Sequence, residues 1–277
     1  MGLRMTALAI ALAALAACAP ADRGARAQDL GGFLTGRAEN PAGPQLPARP
    51  GRSISAEDPA RIMVIGDSLS QGFADALAAR ARERNVPALV RNRGRVSSGL
   101  SRSDFHDWPA NFAELAAADQ PDIVVAHFGS NDMQTVTRPE NRAGYGSDGW
   151  EAAYRTEIRR ILATAAATRS VMVWLGPAPD GNSGLNRHMT RINPIFADEA
   201  AKAGAIYLPL AEFTAAADGS YATSVDVRGE TVTIRTGDGS HFNGTGYRLV
   251  ADRILDTLQD RYADLRPGGD ALALALQ

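Results

Sequence analysis

Short apolar runs alternate with stretches of helical apolar spacing along most of this chain. The first run, Ile62–Ile65, is four residues long and rich in β-branched side chains, which is typical of a buried parallel strand. From Leu69 onward the apolar residues Leu69, Phe73 and Leu77 lie four apart, which indicates a helix. Ser68 is therefore predicted to lie at a sharp turn, where a strand ends and a helix begins.

The same alternation predicts four more strands, near residues 88–91, 122–128, 171–175 and 205–208. Helices are expected near 68–84, 110–118, from a cap at Asp148, near 189–203, and from Asn243 to about Tyr262. Residues 221–236 alternate in the β manner around Arg228-Gly229, which predicts a hairpin appended to the sheet. The pattern as a whole predicts an α/β fold: a three-layer α/β/α sandwich around a mostly parallel, five-stranded sheet.

Two groups of polar residues follow directly on predicted strands. Ser68 comes after the first strand, and Gly129-Ser130-Asn131-Asp132 comes after the third. Chemistry in parallel α/β folds collects beyond the carboxyl ends of the strands. Both groups are therefore expected at the same edge of the sheet.

The N-terminal segment predicts export. Met5–Ala17 is apolar apart from Thr6, too short to span a bilayer and typical of a signal-peptide core. It ends in Leu15-Ala16-Ala17-Cys18, which resembles the lipobox of bacterial lipoproteins and implies a lipid anchor on Cys18. The alternative is a plain secretory signal cleaved after Ala25-Arg26-Ala27. Both interpretations place the protein in the bacterial cell envelope or periplasm, or outside the cell.

Composition then divides the chain into segments. Residues 1–18 are predicted to be the signal peptide, 19–57 a flexible tether rich in Pro, Gly and Ala, 58–262 the folded domain, and 263–277 a C-terminal tail. A formal net charge of −2 over 277 residues, without a clustered basic stripe, gives no reason to expect a nucleic-acid partner.

Serine becomes a useful nucleophile when a base takes its proton and a third group orients that base. Among the histidines, His241 has Asp238 three residues earlier, in a glycine-bearing loop just before the last predicted helix. This spacing allows the carboxylate to reach one ring nitrogen while the other faces the serine. His127, by contrast, lies inside a predicted strand and is expected to be a buried, hydrogen-bonded residue.

Acyl transfer also needs hydrogen-bond donors for the negatively charged oxygen of the tetrahedral intermediate. The N–H of Ser68, an N–H from a glycine loop and the side-chain amide of Asn131 are the candidates. The glycine could be Gly99 or Gly94, both of which follow the second predicted strand.

Four motifs occur in order: Gly66-Asp67-Ser68-Leu69, a glycine after the second strand, Gly129-Ser130-Asn131-Asp132, and Asp238-Gly239-Ser240-His241. Together they resemble the four blocks of the SGNH (GDSL) hydrolase superfamily over residues 61–262. The resemblance implies a flavodoxin-like SGNH fold without a metal or organic cofactor. It also implies Ser68 as nucleophile, His241 as general base and Asp238 as its orienting group. The implied oxyanion donors are Ser68, Gly99 and Asn131.

The sequences that flank these motifs are similar to a subgroup of exported bacterial SGNH proteins. The residues beside the motifs are candidates for substrate binding, and they are Asp67, Leu69, Arg102, Phe105, Trp108, Ser130 and Asp132. The Gly-x-Ser-x-Gly elbow of other serine hydrolases is absent, because position 70 is Ser.

The expected activity is hydrolysis of an acyl ester, with O-acetyl groups on an envelope glycan as the first choice. The alternatives are an O-acetyltransferase with the same triad, a lipid esterase, and a non-catalytic envelope binding protein on the same scaffold.

Overall fold

The computed structural model describes Leu46 and residues 53–267 of the chain. The predicted signal peptide, Cys18, most of the predicted tether and residues 268–277 lie outside the described residues. None of the helices that are described combines the length and the apolar composition that a membrane span requires.

Five parallel strands form the central sheet. They are β1 (Ala60–Gly66), β2 (Ala88–Asn92), β3 (Ile123–His127), β4 (Val171–Gly176) and β5 (Ile206–Pro209). Their order is β2-β1-β3-β4-β5, and each neighbouring pair is parallel. The direction of winding reverses between β1 and β3, which creates the crevice where ligands of open α/β sheets usually bind.

Helices cover both faces of this sheet, so the predicted three-layer α/β/α sandwich is confirmed. The helices are α1 (Ser68–Glu83), α2 (Trp108–Asp119), α3 (Trp150–Ala167), α4 (Ser183–Lys202), α5 (Ala211–Thr214) and α6 (Gly244–Arg261). One core cluster joins α1 and α6 to alternate strand residues such as Ile62 and Val64. A second cluster joins α2, α3 and α4 to the opposite residues, such as Met63 and Ile65. This two-sided burial explains why the run Ile62–Ile65 in β1 is apolar without interruption.

Two predicted helix starts differ from the structure. Helix α4 begins at Ser183 and not near Met189, because the Asn182 side chain accepts hydrogen bonds from the N–H groups of Gly184 and Leu185. Helix α3 begins at Trp150 with Gly149 in the N-cap position and without a side-chain cap, so the predicted capping role of Asp148 is wrong.

The predicted hairpin is present as β6 (Ser224–Val227) and β7 (Glu230–Thr233). Its turn residues Arg228 and Gly229 both have positive φ, at 59° and 86°, as a tight two-residue hairpin turn requires. The hairpin forms a separate two-stranded sheet and does not extend the central one.

Both ends of the described chain pack onto the domain. Leu46, Ile54 and Leu265, which lie outside the predicted bounds of 58 and 262, are buried in the cluster beneath α1 and α6. The backbone N–H of Leu46 also donates to the carboxylate of Asp264, at 3.2 Å. Segments that composition alone assigned to a tether and a tail therefore contribute to the core.

Phe73 is a residue of α1 that packs into this core cluster. It is fully buried, and its ring lies 5.2 Å from the ring of His127, 5.8 Å from that of Phe242 and 5.4 Å from that of Tyr247. Replacing it with alanine should lower the free energy of unfolding by about 3–5 kcal/mol, because the lost contacts leave a cavity. Urea unfolding followed by circular dichroism measures this change.

The matched control is Leu89→Ala, since Leu89 is 48% exposed on β2 and its loss should change the unfolding free energy by less than about 0.5 kcal/mol. Equal stability of the two variants would contradict the packing described for α1.

Candidate active site

The turn that carries Ser68 depends on a glycine. Gly66 ends β1 with φ of +134°, and a Cβ at this position would overlap the carbonyl oxygen of His127 on β3. Only glycine combines this backbone conformation with such a close approach of two strands. The chain then turns at once into α1, whose first residue is Ser68.

Asp67 is the N-cap of α1 and lies beneath the serine. Its carboxylate accepts a hydrogen bond from the N–H of Leu69 at 3.0 Å and lies 3.2 Å from Nδ1 of His127. Both side chains are buried. His127 is thus the buried, hydrogen-bonded histidine that its strand position predicts, and burial gives Asp67 a structural role in place of the predicted contact with substrate.

The three side chains of the predicted triad lie in one hydrogen-bonded line. The hydroxyl oxygen of Ser68 is 2.9 Å from Nε2 of His241, and Nδ1 of His241 is 2.7 Å from the Asp238 carboxylate. Ser68 and His241 are 173 residues apart in the sequence. The arrangement can take a proton from a serine hydroxyl and so make its oxygen nucleophilic.

The loop before α6 holds Asp238 in its charged form. One carboxylate oxygen accepts the N–H groups of Ser240 and His241, both at 2.9 Å, and the hydroxyl of Thr236 at 2.8 Å. The N–H of Ser240 and these further donors hold the pKa of Asp238 well below its ordinary value. The other carboxylate oxygen remains available to orient the imidazole.

Two loops meet where the predicted oxyanion donors lie. The Asn131 side chain donates to the carbonyl of Ser98 at 3.0 Å, and the Asp132 carboxylate accepts the N–H of Ser101 at 2.7 Å. Gly99 sits between these two attachments, and a Cβ there would overlap the Asp132 carboxylate. The loop after β2 is thus fixed to the loop after β3 on both sides of Gly99.

The structure favours Gly99 over Gly94 as the glycine donor. The N–H of Gly94 is already engaged with the side-chain oxygen of Asn92, at 3.1 Å. Within the part of the chain that the structure describes, no hydrogen bond occupies the N–H of Gly99. This N–H can therefore donate to a bound group.

Asp132 and Trp108, both predicted as candidates for substrate binding, support the Gly99 loop from inside. Asp132 has no exposed surface, accepts the hydroxyl of Tyr154 at 2.8 Å, and has a pKa that burial raises. Trp108 is 1% exposed, and its indole N–H donates to the Ser98 hydroxyl at 2.9 Å. Neither side chain has surface left for contact with a substrate.

The remaining candidates lie at the surface or line a small cavity between the loops of the site. Arg102 pairs with Asp104 at 2.7 Å and donates to Gln134 at 3.0 Å, while the ring of Phe105 is 50% exposed. Leu69 and Ser130 line a cavity of about 10 Å³. Their predicted contacts with substrate stay predictions.

Sequence reasoning missed two residues that hold the triad loop. Arg235 is 6% exposed, and its guanidinium donates to the carbonyls of Ser240 at 2.7 Å and Pro179 at 2.9 Å. Asp180 accepts the hydroxyl of Ser240 at 2.6 Å. Both join the loop after β4 to the loop that carries His241. No local pattern in the sequence distinguishes Arg235 from a solvated hairpin arginine.

The described residues 53–267 contain no group of three His, Cys, Asp or Glu side chains placed to hold a metal ion. The predicted absence of a metal or organic cofactor stays an expectation.

Comparison with known families agrees with the four sequence motifs. The model of a family described as "protein of unknown function (DUF459)" matches residues 61–257. The chain belongs to the DUF459 family. No curated protein gives a significant match.

Solved structures similar to this DUF459 chain include an aryl esterase of M. smegmatis, an acetyl xylan esterase (AlAXEase) and a member of the lipolytic G-D-S-L family from Veillonella parvula DSM 2008. Their TM-scores are 0.54, 0.52 and 0.51, at 12%, 16% and 17% sequence identity. The matches cover 73%, 72% and 72% of this chain and 99%, 99% and 98% of those chains. The fold is that of the SGNH (GDSL) hydrolases, as the motifs predict.

Gly99→Ala should displace the loop between its two attachments, because the new methyl group has no room beside Asp132. The rate at which a fluorophosphonate labels Ser68 should then fall by about 100-fold, the usual effect of losing one oxyanion donor. Labelling rates measured by gel fluorescence give this ratio.

Gly144→Ala is the control, since nothing lies within 4 Å of a Cβ at Gly144. Undiminished labelling of a folded Gly99→Ala protein would exclude Gly99 from the reacting site.

Proposed function

We propose that this DUF459 chain is an exported serine esterase that removes a short acyl group, acetyl in particular, from an envelope glycan. The observation that carries the proposal is the unbroken line of hydrogen bonds from Ser68 through His241 to Asp238, at 2.9 Å and 2.7 Å. A binding protein on the same scaffold would not need this alignment.

In the proposed reaction, Nε2 of His241 accepts the proton of the Ser68 hydroxyl while the oxygen attacks the ester carbonyl. The N–H groups of Ser68 and Gly99 and the Asn131 amide donate to the resulting oxyanion. His241 then protonates the leaving alcohol, and an acyl group remains on Ser68. Water, deprotonated by the same histidine, releases the carboxylic acid and restores the serine.

The size of the small cavity between the loops of the site supports a short acyl group. Its lining residues Leu69, Ser130 and Ser240 are the chain neighbours of Ser68, Asn131 and His241. A volume of about 10 Å³ holds one water-sized group, which is also about the size of a methyl group. One of the similar structures is an acetyl xylan esterase, whose name indicates a reaction of the same class.

Open access of water to the triad favours hydrolysis over acyl transfer. The side chains of His241 and Asp238 are 39% and 53% exposed. Enzymes that protect a reactive intermediate from water close their sites around it. The proposed acyl-enzyme is open to solvent, so water is the acceptor we propose.

The predicted export of the protein supports the choice of an envelope substrate. The apolar segment before Cys18 and the lipobox-like Leu15-Ala16-Ala17-Cys18 are the basis for this part of the proposal, with a lipid on Cys18 as the anchor. Acylated glycans are among the esters present in the cell envelope.

Ser68→Ala should abolish fluorophosphonate labelling and reduce turnover of p-nitrophenyl acetate by about 10⁴-fold or more, because the attacking oxygen is gone. Asp238→Asn should reduce turnover by about 10⁴-fold, since the amide cannot hold the imidazole in the required tautomer. Both rates are read from p-nitrophenol absorbance.

Thermal melting of the same samples serves as the control, and both variants should melt close to the wild type because both positions are partly exposed. Wild-type turnover by a folded Ser68→Ala protein would refute the proposed mechanism.

An acyl panel tests the substrate class. The value of kcat/KM should be lower by about tenfold or more for p-nitrophenyl hexanoate than for p-nitrophenyl acetate, because the extra methylenes do not fit the cavity. Acetylated xylan and acetylated peptidoglycan should release free acetate, with Ser68→Ala as the background control. A preference for octanoate would favour a lipid esterase. Transfer of the acetyl group from p-nitrophenyl acetate to an added sugar, in excess of the release of free acetate, would favour an O-acetyltransferase.

A further inference from the structure

The small cavity between the loops of the site has a second space close to it. This space is a groove of about 390 Å³ between α4, β5 and the segment after β4, lined by Pro179, Pro194 and Tyr207 among others. The cavity itself is lined by Pro177 and Ala178, which immediately precede Pro179. Cavity and groove therefore lie on opposite sides of the same short segment after β4.

Met189 lines both spaces. It lies on α4, its side chain is 3% exposed, and its sulfur would be 3.7 Å from a Cβ at Gly129, in the loop that carries Asn131. An unbranched thioether in this position fills the gap between α4 and the oxyanion loop. Because the Met189 side chain lines both spaces, removing it would take away a side chain that stands between the small cavity and the groove.

We propose that Met189 is the residue that limits the length of the acyl group. The inference rests on the proposed esterase function and adds a specificity-determining side chain to it. With Met189 in place, the acyl chain of a bound ester ends against the thioether after about one methyl group. When the side chain is truncated, the cavity opens into the groove, whose lining is largely apolar and suits further methylenes.

Met189→Ala should therefore change the preference for acyl length. The ratio of kcat/KM for p-nitrophenyl hexanoate to that for the acetate should rise by about tenfold or more over the wild type. A change in this ratio separates a specificity role from a general loss of stability, which would lower both rates together.

Ile195→Ala is the matched control. Ile195 lies on the same helix, is 2% exposed and belongs to the same core cluster, but it lines neither space. Its truncation is a comparable loss of core volume and should leave the ratio unchanged. If Met189→Ala fails to fold, Met189→Val tests the same direction with a smaller loss of volume.

A raised ratio in the Met189 variant with an unchanged ratio in the Ile195 variant supports the inference. An unchanged ratio in a folded Met189 variant overturns it and leaves the esterase function intact. A wild type that cleaves hexanoate as well as acetate also overturns it. A wild type that turns over no ester and is not labelled at Ser68 refutes the proposed function, and the inference falls with it.

Discussion

The close approach of β1 and β3 at Gly66 is the constraint on which the site depends. The carbonyl of His127 occupies the space that any side chain at Gly66 would need. Because the two strands meet so closely, the buried pair of Asp67 and His127 fits directly beneath the first turn of α1. Ser68 is consequently presented from a rigid corner at the point where the sheet reverses its winding.

The rest of the site consists of loops that are fixed to one another in pairs. Asn131 and Asp132 hold the loop after β2 from both sides of Gly99. Arg235 and Asp180 hold the loop of His241 against the segment after β4. Each loop of the site is thus positioned by hydrogen bonds to another loop as well as by its own strand, which is how groups far apart in sequence reach hydrogen-bonding distance.

How much of this could be predicted from the sequence depends on the range of the interaction. The turn at Ser68 and the pair of Asp238 and His241 are local patterns, so spacing and residue type were enough. The burial of Asp132 and the clamp made by Arg235 depend on residues more than twenty and more than fifty positions away, and no local pattern encodes them. The early start of α4 had a local signal in Asn182, which the apolar periodicity obscured.

The point at which the chain enters the domain lies far from the site. Leu46 bonds to Asp264 just beyond the end of α6, whereas His241 lies just before its start. The helix has 18 residues and so spans about 27 Å between these points. The chain therefore enters the domain at the end away from Ser68. A tether upstream of Leu46 would leave the opening beside Ser68 unobstructed.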